Sequence, residues 1–79
     1  MEPDQARAFV REAVAELAKR SVGDDERIVS TGLIDSLSVI RLIALLDRKL
    51  QIRISTGKVQ PEDFDSVEVI LETLQRLDL

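Results

Sequence analysis

The sequence predicts an all-α protein, a four-helix bundle with three main helices, one short third helix and a long first loop. Two observations carry this. Apolar residues recur every three or four positions in three separate stretches, the period of helices buried along one face. Between them run polar segments bearing glycine or proline, and only Ile52 and Ile54 alternate as an extended chain would. With 79 residues there is room for one domain, residues 1–79, and for a small core. A hydrophobic share of 44% with 33% charged residues fits a folded soluble chain rather than a disordered one.

The first helix is expected over residues 4–20. Ala6, Phe9, Val10, Ala13, Val14 and Leu17 fall on one face, Pro3 suits a first turn, and Lys19 and Arg20 suit the negative end of the helix dipole. Residues 21–35, "SVGDDERIVSTGLID", then form a long connection for so small a domain. Ile28, Val29, Leu33 and Ile34 look like anchors that pack it down. Residues 36–50 make the second helix, with Val39, Ile43, Leu46 and Leu50 as its core stripe. A second stripe, Leu37, Arg41, Ala44 and Arg48 with Leu45 beside it, mixes apolar and basic groups, as a docking surface does. "QIRISTGKVQ" reads as an extended connector, and "PEDF" as one short turn opened by Pro61. The last helix begins with Asp65 as cap and Glu68 three residues on, resembling a capping box, and turns Val67, Ile70, Leu71, Leu74 and Leu77 inward. Phe9 and Phe64 belong to the core.

Composition also excludes functions. Without cysteine there is no disulfide, thiol nucleophile or thiolate metal site, and without histidine the commonest acid–base arrangements cannot be assembled. An independent enzyme is not expected. The first residues, "MEPDQARAFV", lack the basic start and apolar run of a secretion signal, and no apolar run nears the ~18 residues of a membrane span. A cytoplasmic protein without membrane contact is the expectation.

The chemistry concentrates at "GLIDSL", residues 32–37. If Asp35 is the N-cap, its carboxylate accepts N–H groups of the first turn, leaving the Ser36 hydroxyl free to face solvent at the first helical position. A phosphate attached there would lie beside the positive end of the helix dipole. Leu37 follows as an apolar contact. Ser38, about 200° further round the helix, points elsewhere.

At these residues the sequence resembles the acyl carrier and peptidyl carrier protein family. Gly32-Leu33-Ile34-Asp35-Ser36-Leu37 is similar to the family's serine motif, and Gln51-Ile52-Arg53-Ile54 followed by Pro61 to Leu77 to its later elements. The resemblance covers essentially the whole chain and implies an acyl-carrier-like fold. It also implies that Ser36 takes 4'-phosphopantetheine from coenzyme A through a separate, magnesium-dependent phosphopantetheinyl transferase, with Asp35 and Leu37 at the attachment site. The arm's thiol would carry an acyl or aminoacyl group as a thioester, so the reactive sulfur missing from the sequence is imported. Partners would be an adenylating enzyme or acyltransferase that loads the arm, and a downstream synthase or transferase; a monomer is the natural state of such a shuttle.

Charge sharpens the comparison. The net charge is −4, yet residues 36–58 hold Arg41, Arg48, Lys49, Arg53 and Lys58 against Asp47 alone. Carriers of dissociated fatty acid synthesis have an acidic second helix instead, and peptidyl carrier modules have a Gly-Gly pair before the serine motif where Leu33-Ile34 intervene here. The resemblance is therefore to a stand-alone carrier of a specialised, polyketide or nonribosomal-peptide-type pathway. The other class open to a small helical domain is a protein–protein or nucleic-acid interaction module using the basic middle. The acidic balance, the two aromatics and the want of a basic recognition helix speak against nucleic acid.

Overall fold

The computed structural model describes residues 3–77. Residues 1, 2, 78 and 79, which the expected 1–79 domain includes, lie outside the described residues. Three α-helices follow in order, α1 (Pro3–Ala18), α2 (Ser36–Leu50) and α3 (Val67–Arg76), with single 3-10 turns at Thr56–Lys58 and Pro61–Phe64 before α3. No strand occurs among the described residues.

One core joins these elements. Val10, Ala13 and Val14 of α1 meet Leu42, Ile43 and Leu46 of α2 and Val67 and Ile70 of α3, with Phe64 fully enclosed. Each large side chain buried this completely stabilises the fold by about 1.5–3 kcal/mol. Phe9 packs against this core only partly buried. The short third helix is a 3-10 turn rather than an α-helix, and the connector before it is not wholly extended, since Thr56–Lys58 also close a turn.

Helix ends differ from the sequence expectation for reasons visible in the backbone. α1 stops at Ala18 because Lys19 turns left-handed (φ 62°), its N–H still bonded to the Ala15 carbonyl at 2.8 Å. Arg20 is therefore no longer helical and reaches forward to Glu26 and to the Ser21 carbonyl. α3 starts later than expected. Its cap is Ser66, whose hydroxyl accepts the Val69 N–H at 3.1 Å, so Asp65 is not the cap and Glu68 closes no capping box with it. Glu68 pairs instead with Arg7 of α1.

The long connection between α1 and α2 is fastened along its length. Arg11 grips Asp24 through two bonds of 2.8 and 2.9 Å, and Arg7 adds a third at 2.8 Å. Val22, Ile28 and Ile34 are buried, while Val29 and Leu33 pack partly against the core. The expected anchors Ile28 and Ile34 are in place, and Val22 joins them.

Candidate functional site

The loop delivers the chain to α2 through a chain of hydrogen bonds. The Ile28 carbonyl accepts the Ile34 N–H at 2.8 Å, and the Val29 carbonyl accepts the Gly32 N–H at 3.0 Å. Gly32 supplies the left-handed residue this turn needs, at φ 81°. Ile34 then plugs the core at 1% exposure, which places Asp35 at the surface as the first residue past the plug. Asp35 is the N-cap, its Oδ1 accepting the Ser38 N–H at 2.8 Å, as expected.

Ser36 follows as the first residue of α2 and is exposed. The Ser38 and Val39 N–H groups are already bonded to Asp35. Those of Ser36 and Leu37 precede any intrahelical acceptor, so they and the helix dipole present positive potential beside the Ser36 hydroxyl. The Asp35 carboxyl is held below its ordinary range by the N–H and hydroxyl of Ser38, and by Arg41 nearby. It stays ionised and engaged in capping. Ser38 is half-buried and turned to Asp35, leaving Ser36 the accessible hydroxyl.

Below Ser36 the exposed face of α2 carries an apolar patch. Leu37 is 70% exposed and Ile40 60%, the large exposed hydrophobics among the described residues. Arg41, Ala44 and Arg48 continue the face, all exposed, whereas Leu45 packs partly into the core and contributes only its edge. The sequence reading missed Ile40 here. Three residues on from Leu37 and four before Ala44, it was readable from spacing alone. The same reading omitted Leu42, fully buried on the opposite face.

Lys49 does not belong to this face, since its ammonium lies 3.9 Å from Glu12 of α1. A groove lined by Leu50, Ile52, Leu71 and Leu74 with Asp4 and Arg7 takes in no residue from the start of α2. The site is thus a corner, not a pocket: an exposed hydroxyl at a helix tip, above an apolar patch edged by arginine.

Asp65 is the second residue whose part sequence reasoning missed. It is 7% exposed, and its Oδ1 accepts the N–H groups of both Val29 and Ser30 at 2.9 Å. No local spacing announces this, because the partners lie 36 and 35 residues away in the chain. Burial opposes ionisation of this carboxyl, but the N–H groups of Ser30 and Val29 and the Arg27 guanidinium outweigh it and hold its pKa below the ordinary value.

Among the described residues no helix is long and apolar enough to cross a membrane, and no group of three or more acidic side chains is placed to hold a metal ion. In comparison with known proteins, the family model described as phosphopantetheine attachment site matches residues 8–74. No curated protein matches the chain.

Proposed function

We propose, from the premise that this chain belongs to the phosphopantetheine attachment family, that it is an acyl or aminoacyl carrier whose arm is mounted on Ser36. The observation that carries the assignment is the division of labour at the head of α2: Asp35 does the capping and leaves the neighbouring hydroxyl exposed. The residues fit the group. A phosphodiester at Ser36 sits against unpaired N–H groups at the positive end of a 15-residue helix, where negative charge is stabilised by about 0.3–1 kcal/mol.

Ser36 Oγ forms the new bond to phosphorus as the pyrophosphate P–O bond of coenzyme A breaks and adenosine 3',5'-bisphosphate leaves. The hydroxyl proton passes to a base on the modifying enzyme. The nearest carboxylate in sequence, Asp35, is held ionised by Ser38 and is a poor acceptor for it. A separate phosphopantetheinyl transferase supplies that base, and the carrier's part is to present the hydroxyl. Once mounted, 4'-phosphopantetheine supplies a thiol on which cargo is held as a thioester.

Partner enzymes meet α2 through Leu37 and Ile40, with Arg41, Ala44, the edge of Leu45 and Arg48 around them. Aromatic or aliphatic sockets rimmed by carboxylates fit such a face. A basic second helix suits a loading enzyme, adenylating or acyl-transferring, and a downstream synthase or transferase with acidic docking sites. That points to a specialised polyketide or nonribosomal-peptide-type pathway, served by a cytoplasmic monomer. Incubation with coenzyme A, magnesium and a broad-specificity transferase is expected to add one arm mass to the intact protein. Ser36→Ala abolishes the gain and Ser38→Ala does not; the reverse pattern overturns the assignment.

A further inference from the structure

Asp65 holds four consecutive residues of the loop at once. Its carbonyl accepts the Ile28 N–H at 2.7 Å, its Oδ1 accepts Val29 and Ser30, and its Oδ2 receives the Arg27 guanidinium at 3.1 Å. A nearly buried carboxylate is costly unless its acceptor positions are filled, and here they are filled entirely by one segment. From that segment the bonding runs without a gap to the hydroxyl. Thr31 donates to the Arg27 carbonyl, Ile34 donates to Ile28, Ile34 plugs the core, and Asp35 caps the helix that opens with Ser36. Among the described residues, no other side chain from outside the loop hydrogen-bonds to residues 27–30.

We propose that Asp65 is a positioning residue for the Ser36 hydroxyl: by fastening residues 27–30 it fixes where Asp35 and Ser36 emerge, and so sets the rate at which the arm is attached. The inference rests on Ser36 being the attachment site. Asp65 lies on neither the exposed α2 face nor the reacting atoms, so it leaves encounter with the transferase alone and acts on alignment. Misplacement of a reacting group by about 1 Å can cost on the order of a hundredfold in rate.

The substitutions grade the effect. In Asp65→Asn one oxygen still accepts from Val29 and Ser30, but an NH2 group replaces Oδ2 and opposes the Arg27 guanidinium, donor against donor. In Asp65→Ala both loop N–H groups lose their acceptor.

The test measures steady-state arm transfer from coenzyme A to the purified apo-carrier, with amide hydrogen exchange at Val29 and Ser30 and a melting curve for each variant. Expected are full final modification of every variant, an unchanged KM for the carrier, and a kcat lowered roughly tenfold or more in Asp65→Ala and less in Asp65→Asn. Exchange at Val29 and Ser30 accelerates in the same order. Leu74→Ala truncates a buried side chain beside a groove that takes in no residue of the loop or of the start of α2, and serves as the destabilised control with wild-type kcat. Wild-type kcat in Asp65→Ala, or a kcat loss in Leu74→Ala that tracks its melting temperature equally, overturns the positioning role. Wild-type protein that accepts no arm overturns the carrier reading itself, and the positioning role with it.

Discussion

Backbone handedness separates residues that are chosen for conformation from those that merely tolerate it. Gly32 (φ 81°) and Gln51 (φ 55°) both sit in the left-handed region, one in the turn before Asp35 and one ending α2. A Cβ on Gly32 would touch nothing within 4 Å, so the cost of Gly32→Ala is conformational alone, about 1–2 kcal/mol. Gln51→Gly relieves the same strain and is expected to stabilise by up to about 1 kcal/mol. Urea unfolding of the two variants should therefore shift the midpoint in opposite directions; shifts of the same sign would mean that side-chain contacts, not backbone, decide these positions. Legibility divides along a similar line. Asp35 was readable as a cap because the apolar run it precedes is local. Asp65 followed by Glu68 had the same local look, but its carboxylate is claimed by a loop far away in sequence, and Ser66 takes the cap. Leu42 shows the other limit: in a helix with apolar residues on more than one face, spacing finds a stripe without settling which neighbour faces inward.

Between elements, the ionic clasp of Arg7, Arg11, Asp24 and Glu68 ties α1 to the long loop and to α3, and the Asp24 carbonyl also accepts the Glu68 N–H at 3.0 Å. Sequence reading assigned Glu68 to a capping box and left Arg7, Arg11 and Asp24 without partners, since pairing across 13 and 61 residues leaves no trace in periodicity. The segments themselves were legible, α2 to its first and last residue. The hydrogen bonds from Arg11 and Arg7 lower the Asp24 pKa from 3.8 to about 2. A carboxyl whose folded pKa lies below its unfolded one stabilises fully above the unfolded value and loses that contribution as pH falls through the folded one. Here the loss runs from just above 3.8 down to about 2. The melting temperature of wild-type protein is accordingly expected to fall across that acidic window. Asp24→Asn should melt lower than wild type at neutral pH and lose less on acidification. An acid response in the variant as steep as in wild type would assign it to other carboxylates, with Asp65, also held low by its partners, the first to test.

At the scale of the whole molecule the charge is divided rather than mixed. The chain carries −4 overall, and five of its 15 acids, Asp24, Glu26, Asp63, Asp65 and Glu68, pair with arginine. Among the described residues Arg41 and Arg48 make no ion pair, and both are exposed on the α2 face below Ser36. On that face the two positive charges, Arg41 next to Ile40 and Arg48 about two turns further on, are what an approaching surface meets. A paired charge is largely cancelled by its partner, whereas an unpaired one steers encounter within a screening length of about 8 Å at physiological ionic strength. Composition made the basic middle legible, but not that Lys49 is drawn off to Glu12 and leaves the arginines to define the face. If the loading enzyme bears an acidic docking site, Arg41→Glu and Arg48→Glu each slow loading, lowering kcat/KM on the order of tenfold at low salt. Helicity stays unchanged, and the difference from wild type shrinks as salt is raised. Leu37→Ala, by contrast, weakens loading at every salt concentration, because apolar contact is not screened. Loading rates indifferent to both reversals would reduce the arginines to solvated surface and leave recognition to Leu37 and Ile40.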